Sequence, residues 1–421
     1  MSTPQFTALK GMQDILPPDT LLWQSIERTA RDVFGAYGFQ EIRLPVLEST
    51  GVFSRSIGEQ TDIVEKEMYT FTDKGGRSVS LRPECTASVV RSYVENNLHS
   101  LPPPQKFYYS GPMFRYERPQ SGRFRQFYQI GVEAFADPHP GMDAEVIAML
   151  ERFLGGIGLR GISFQINSIG CEQCRPGYRD ALLNFFGEKK GRLCPDCIRR
   201  YDRNPLRILD CKVQRCREAR AGAPAITDHL CQDCAKHFGK LKELLSLLGV
   251  SFTVNPEMVR GLDYYTRTAF EVTSEGLGSQ NAVAAGGRYN RLVKEFGGPD
   301  TPAIGFAVGM ERVVALLKNA GPPSRPVPAA FIAALGEAAG DEALRIACLL
   351  RNKGVWVELG DAESSLKSQL RRADRLSARY VVIVGDEELR SGQLKWKNLS
   401  DASQGTIHTS EIEEFLTSVG S

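Results

Sequence analysis

The sequence predicts a mixed α/β protein: an antiparallel sheet flanked by helices, a small module inserted within it, and a second, smaller α/β domain at the C-terminal end. Three observations carry that prediction. Two stretches, 106–117 and 125–135, alternate apolar and polar residues on either side of a short turn and read as an antiparallel hairpin. Eight of the ten cysteines crowd into 171–238, where basic residues outnumber acidic ones, so this stretch differs from the chain around it. A Pro- and Gly-rich run, NAGPPSRPVPAA at 319–330, separates all of this from a compact apolar pattern. The expected boundaries are 1–325 for the first domain, 171–238 for the module inside it and 326–421 for the last domain.

At 421 residues the chain exceeds one ordinary domain. A net charge of about +2 gives no global field of the kind that marks a nucleic-acid binder, so any such contact comes from local patches. The opening MSTPQFTALKGMQD has no apolar signal core, and the apolar runs AAFIAAL and YVVIV are too short to span a bilayer. The expectation is a cytoplasmic protein without membrane association, whose cysteines are thiols or metal ligands rather than disulfides.

Within the hairpin, one face carries Phe114, Tyr116, Tyr128, Ile130, Val132 and Ala134, a packing surface. The other carries Arg115, Glu117, Gln129, Gly131 and Glu133. A half-solvated sheet has the same pattern, but Phe127 and Phe135 share the polar face and suggest that it is walled in. A walled polar face suits a polar ligand, and the arginine fork suits phosphate or carboxylate. The connecting RPQSGRF and the residue after it add Arg118, Arg123 and Arg125, with Pro119 and Gly122 shaping the turn.

Three further stretches have this character. SVSLRPECTASVVRSYVENN (78–97) is a strand ending at Pro83 that enters an amphipathic helix, with Thr86 expected as its N-cap and Glu84 just before it. RGLDYYTRTAFEV (260–272) places arginines, an aspartate and two tyrosines ahead of a strand. PAIGFAVGMERVVALLK (302–318) is a Gly-spaced strand running into a helix with Arg312 in its first turn, where free backbone N–H groups favour an anion. Any one of these is an ordinary strand–helix junction. Four arginine-bearing junctions in one chain point to an anionic ligand. The chain lacks a P-loop signature, a GxGxxG after a strand, HExxH and GxSxG, so phosphate handling falls to the arginines.

The module's cysteines come in pairs. Two residues separate Cys171 from Cys174, Cys194 from Cys197 and Cys231 from Cys234; four separate Cys211 from Cys216. Two such pairs supply the four thiolates of a tetrahedral Zn²⁺ site. Four pairs make two structural zinc sites, or one site and spare thiols; alternatively the module packs without metal, its cysteines acting as small hydrophobes. In the last domain FIAAL, VWVEL and YVVIVGD read as short buried strands, separated by helices around 341–353 and 364–379. The second helix places Leu366, Leu370 and Ala373 on one side. On another, Lys367, Arg371, Arg375 and Arg379 form either a solvated face or a stripe for RNA phosphates.

Taken together, these stretches resemble the class II aminoacyl-tRNA synthetases, and within them the histidyl-tRNA synthetase family, over essentially the whole chain. GFQEIRLPVLE (38–48), FRYERPQSGRFRQF (114–127) and IGFAVGMERV (304–313) resemble the three class motifs. RGLDYYTRTAFEV resembles the signature peculiar to the histidyl enzymes, and KGMQDILPP, LRPECT and AGGRYN agree with it. The resemblance implies a homodimer that uses ATP and Mg²⁺ to form histidyl-adenylate and passes histidine to the 3′ end of histidine tRNA. It implies that Arg115 and Arg260 are catalytic and that Arg115, Arg123 and Arg312 hold ATP. Glu84, Thr86, Gln129, Glu133, Tyr264 and Tyr265 would bind histidine, and Gln120 and Arg125 would meet the tRNA acceptor end. It further implies that the last domain binds the anticodon. Asn290 and Arg291 stand where the family pattern has Asp-Gly, and Cys85 where glycine is common. A silent paralogue serving as a regulatory subunit of histidine biosynthesis is the alternative. It typically lacks the last domain and the catalytic arginines, whereas Arg115, Arg260, Arg312 and the tail are present here.

Overall fold

The computed structural model describes residues 6–57, 61, 63–119, 122–259, 262, 264–277, 281–319 and 326–420, with positions 419 and 420 described by backbone alone. Arg260 and Gln120 lie outside the described residues, as does half of the Pro- and Gly-rich run. The chain divides into two units, Met1–Pro323 and Ser324–Ser421.

Eight strands form the main sheet among the described residues of the first unit. In chain order they are β1 (Gln40–Glu41), β2 (Gln105–Phe114), β3 (Gln126–Phe135), β4 (Ile162–Ser168), β5 (Phe252–Val254), β6 (Thr266–Ser274), β7 (Ala282–Arg288) and β8 (Ala303–Gly309). Their spatial order is β1-β2-β3-β8-β7-β6-β4-β5, antiparallel throughout except for the outermost pair at each edge. Side chains alternate between faces. Ile130, Val132 and Ala134 of β3, Phe270 and Val272 of β6, and Ile304, Phe306 and Val308 of β8 enter one core. Against them pack Ile26 and Phe34 of helix Asp19–Ala36, Leu150 and Phe153 of helix Pro140–Gly156, and Leu241 and Leu245 of helix Gln232–Leu247. Each buried side chain of this kind contributes roughly 1.5–3 kcal/mol, so this face holds the unit together and leaves the other free for chemistry.

The hairpin is shorter than its alternation predicts. β2 ends at Phe114, and one further bond, from Arg115 N to Arg125 O at 2.9 Å, closes the ladder. Arg125 N instead donates to Gly11 O at 2.6 Å, so the N-terminal segment takes the backbone partner that a longer β2 would need. Tyr116, expected on the packing face, is accordingly 54% exposed, with the Arg125 guanidinium 3.8 Å from its ring centre.

The module leaves the sheet after β4 and folds as short helices, including Arg175–Gly187, Pro195–Arg203 and Gln214–Ala219. Its core combines Tyr178, Leu182, Phe186 and Leu209 with four of the cysteines. The returning helix Gln232–Leu247 runs across position 238 and joins the main core. A buried polar node fixes that return. Asp143 accepts hydrogen bonds from Arg288 Nε at 2.9 Å and Thr268 Oγ1 at 2.6 Å, and His237 Nε2 lies 3.4 Å away. Removing one partner of such a buried pair typically costs about 3–5 kcal/mol.

In the second unit the sheet order is Val357–Leu359, Ala330–Ala334, Tyr380–Val384, Gln393–Asn398, Gln404–His408. The first three strands are parallel and the last two antiparallel. Helix Leu366–Arg375 buries Ala373, with Leu366 and Leu370 packed beside it, and leaves Lys367, Arg371 and Arg375 exposed. Among the described residues no helix is long and apolar enough to cross a membrane.

Candidate active site

The sheet face opposite the main core opens into a cavity of about 230 Å³, lined among others by Glu84, Thr86, Arg115, Gln129, Tyr264 and Arg312. Strand register explains why a cavity forms there. Glu133 sits opposite Gly305, which sits opposite Gly287; one row further, Gly131, Ala307 and Ala285 align. This row of small residues makes a floor of main chain. A Cβ at Gly305 would run into the Glu133 carboxylate, and one at Gly131 into the Tyr109 hydroxyl. Large polar side chains can lie across the floor only because these positions carry none.

At one end of the cavity Glu84 and Glu133 are buried close together. Glu84 accepts hydrogen bonds from Thr86 N at 2.7 Å and Ala87 N at 2.9 Å, so its carboxylate caps helix Thr86–Glu95. This corrects the expectation that Thr86 is the N-cap: Cys85 holds that position and Thr86 is the first helical residue. A carboxylate complements the helix N-terminus better than a hydroxyl does, and Thr86 Oγ1 is released to donate to Glu133 Oε1 at 2.7 Å. Tyr289 OH donates to the other oxygen of Glu133. Burial pushes Glu133 up to about 8, against the lowering effect of those two hydrogen bonds and with help from the nearby Glu84. Burial raises Glu84 as well. A titrating carboxyl placed this way favours a cationic or hydrogen-bonding ligand group.

At the other end three arginines converge. Arg115 is held by Pro83 O, which accepts from its Nε at 2.8 Å, and by the Phe127 ring 5.2 Å away. Arg123 pairs with Glu117 at 2.9 Å, and Arg312 donates to Ala282 O. Burial, then repulsion from Arg123, pushes the Arg312 pKa down. A buried guanidinium destabilised by its neighbours is relieved by an anion. Between the two ends Gln129 Oε1 and Tyr109 OH are buried without a hydrogen-bond partner among the described residues. Each such group costs about 1–3 kcal/mol until something satisfies it. Tyr264 and Tyr265, with ring centres 4.6 Å apart, form the wall.

Of the residues singled out from the sequence, Glu84, Thr86, Arg115, Arg123, Gln129, Tyr264, Tyr265 and Arg312 line this one cavity. Glu133 is tied to it through Thr86. Arg125 is not part of the lining; it stacks on Tyr116 and donates to Glu117 O and Lys10 O. Tyr109 and Tyr289 were not singled out. Tyr109 had a readable signal, since it pairs across the ladder with Gly131 and covers it. Tyr289 had none beyond its place in AGGRYN. Asn290 donates its backbone N–H to Thr266 Oγ1 at 3.2 Å, and Arg291 forms an ion pair with Glu172 of the module.

The cysteines gather into two groups of four, Cys171, Cys174, Cys231 and Cys234 in one, Cys194, Cys197, Cys211 and Cys216 in the other. Within each group the sulfurs lie within 4.8 Å of one another. The sulfurs lie 3.7 Å apart in Cys171–Cys174, 3.8 Å in Cys171–Cys231 and 3.9 Å in Cys194–Cys211. A tetrahedron with Zn–S bonds of about 2.3 Å has edges of about 3.8 Å. Backbone N–H groups of Cys231 and Cys194 donate to the sulfurs of Cys174 and Cys216, each at 3.1 Å. For Cys171 and Cys194 burial acts to raise the pKa, but hydrogen bonds from backbone and neighbouring thiols outweigh it and bring both down to about 7.

An antiparallel sheet whose floor faces arginines at one end and carboxyls at the other, followed by a separate α/β unit, is the arrangement of a class II aminoacyl-tRNA synthetase. Residues 11–313 match the family model described as histidyl-tRNA synthetase, and residues 329–418 that of an anticodon-binding domain. A histidine–tRNA ligase of Thermodesulfovibrio yellowstonii is 52% identical over 412 residues, covering 98% of each chain. One from Syntrophotalea carbinolica is 52% identical over 410 residues, 97% of this chain and 98% of its own. Among solved structures, the apo histidyl-tRNA synthetase of S. aureus superposes with a TM-score of 0.83 at 36% identity, covering 98% of this chain and 100% of its own. A Bacillus halodurans structure titled as an ATP phosphoribosyltransferase regulatory subunit/histidyl-tRNA synthetase has a TM-score of 0.67 at 23% identity, covering 91% of this chain and 99% of its own, a likeness of fold alone. The chain belongs to the histidyl-tRNA synthetase family.

Proposed function

We propose that the cavity joins histidine to ATP, forming histidyl-adenylate and pyrophosphate, and that the histidyl group then passes to the 3′ end of histidine tRNA. The chain is thus a histidine–tRNA ligase. The observation that carries this reading is the two-ended cavity, carboxyls at one end and arginines at the other, in a chain 52% identical to such ligases over its whole length. Glu84, Thr86 and Gln129 receive the α-amino group of histidine. Glu133 and Tyr264 read the two imidazole nitrogens, and Tyr265 closes the pocket. The partnerless Gln129 Oε1 supports its role as a receptor for a donor group. A site built from buried hydrogen-bonding groups rejects amino acids that lack the matching nitrogens by large factors.

Arg115 holds the α-phosphate, and Arg260 stabilises the charge that develops there. Arg123 and Arg312 take the outer phosphates, which Mg²⁺ accompanies. Such chemistry needs positioning and charge stabilisation more than covalent help. Gln120 and Arg125 meet the acceptor end of the tRNA, and the second unit binds its anticodon. The domains divide at 325/326, with the module at 171–238. The enzyme works in the cytoplasm as a homodimer, to which Leu47 in the first class motif, 47% exposed, offers apolar surface. The cysteine module holds structural Zn²⁺ away from the reaction.

The test is pyrophosphate exchange with each of the twenty amino acids. Histidine alone should support it, and another amino acid working in its place would overturn the reading. Arg260→His should slow adenylate formation by orders of magnitude with much smaller effects on histidine and ATP binding.

A further inference from the structure

We infer that the two cysteine centres do different work: the Cys171–Cys174–Cys231–Cys234 centre positions the tyrosine wall of the active site, whereas the Cys194–Cys197–Cys211–Cys216 centre builds the module's own core. This rests on the reading that each centre holds zinc.

The first centre sits at the root of the module. Cys171 follows the end of β4 by three residues, and Cys231 and Cys234 open the helix Gln232–Leu247 that returns to the main core. One ion there ties the outgoing and incoming chain together across 60 positions. The link to the pocket is direct. Ile169 N donates to Arg267 O at 2.7 Å, and Arg267 N donates to Gly170 O at 2.8 Å. Gly170 makes this turn possible, because its φ is +66° and a Cβ there would come within 2.6 Å of the Cys174 Cβ. From the residue after Cys174, the Arg175 guanidinium donates to Tyr265 O. Three hydrogen bonds therefore join the root of the module to the segment that presents Tyr264 and Tyr265. The exposed Glu172–Arg291 pair adds a weaker tie on the same knuckle.

Among the described residues the second centre makes no hydrogen bond to that segment; its ties outside the module are Val259, packed on its cluster, and Glu257, paired with the Arg220 that donates to Cys211 O. Its four cysteines are buried in one cluster with Tyr178, Leu182, Phe186 and Ile208, all of the module. Cys171 and Cys231 of the first centre are half-exposed, so its metal is the more accessible of the two.

Full-length protein purified without chelator should contain about two zinc ions per chain by elemental analysis. Under a chromogenic chelator one equivalent should leave quickly. Its loss should raise the KM for histidine in pyrophosphate exchange about tenfold with little change in kcat, the signature of a displaced binding wall. Cys171→Ser should do the same, whereas Cys194→Ser should lose one zinc and keep that KM within about twofold. Arg175→Ala should keep both ions yet raise the KM, and combining it with Cys171→Ser should add little, because both cut one path. Zinc lost from the root with the histidine KM unchanged, or equal KM effects from both centres, would overturn the division of work. A metal-free wild-type protein would instead defeat the zinc reading beneath it. If Cys171→Ser fails to fold, the chelator and Arg175→Ala measurements decide.

Discussion

In the pocket Gln129 Oε1 and Tyr109 OH are buried without partners among the described residues, and Glu133 is held near 8 by burial. In the module the cysteine sulfurs gather in fours, each within 4.8 Å of the others in its group, and backbone N–H groups support several of them. The two regions belong to the same unit and bury comparable polar chemistry, but one leaves its groups waiting for a ligand that comes and goes. The other gathers its thiols in fours, the arrangement that the proposed Zn²⁺ would complete. In the pocket the unsatisfied groups favour a ligand that supplies the missing bonds, but His237 Nε2 at the module's root is also buried without a hydrogen-bond partner among the described residues, so the mark is not confined to the pocket.

The sharpest way to separate the two regions is Gly305→Ala. Its Cβ would meet the Glu133 carboxylate and the Val132 carbonyl. Histidine-dependent exchange should fall about a hundredfold or more, while zinc content stays at the wild-type level; a loss of zinc would mean that the pocket and module cannot be told apart this way. Glu133→Gln is next. It keeps the shape and removes the titration, and should raise the KM for histidine roughly ten- to hundredfold.

The same variant divides the regions by pH. A carboxyl raised from 4.5 to about 8 on folding costs stability progressively as pH rises through that window. Thermal melts of the ligand-free wild type should therefore fall relative to Glu133→Gln between about pH 5 and 8, and the gap should level off above. His237, at the module's root, has the opposite sign. Burial lowers it to about 4, outweighing the attraction of Asp143 and assisted by Arg288, Arg267 and His139. Its contribution is present above pH 6.5 and lost as pH falls towards 4, a drop in Tm that His237→Gln should abolish. The smallest effect belongs to the second unit. Arg371→Glu with Arg375→Glu should flatten the salt dependence of tRNA binding by about one charge per residue that contacts phosphate. An unchanged slope would make the stripe a solvated face.

Much of the site could be read from alternation alone. Ile130, Val132 and Ala134 against Gln129 and Glu133 follow from period two, which a hairpin cannot disobey without exposing its core. The capping of helix Thr86–Glu95 could not, because a hydroxyl and a carboxylate compete for the same N–H groups and Glu133 decides between them from 47 positions away. The cysteine spacing announced four pairs but not their nesting, first with fourth and second with third, which only the return of helix Gln232–Leu247 to the main core brings about. Strands Gln393–Asn398 and Gln404–His408 went unread because their polar, half-exposed residues lack the apolar runs of Ala330–Ala334 and Tyr380–Val384.

The glycine and alanine floor also bears on inhibition. A compound lying on Ala285 and Ala307 would touch main chain and methyl groups, and a larger residue at either position would take up cavity volume rather than swap one contact for another. Resistance to such a compound would have to arise in the walls, at Gln129 or Tyr264, where side chains rather than backbone meet the ligand. Compounds that rely on the floor for affinity and touch the walls lightly would leave a pathogen bearing this fold few ways to escape.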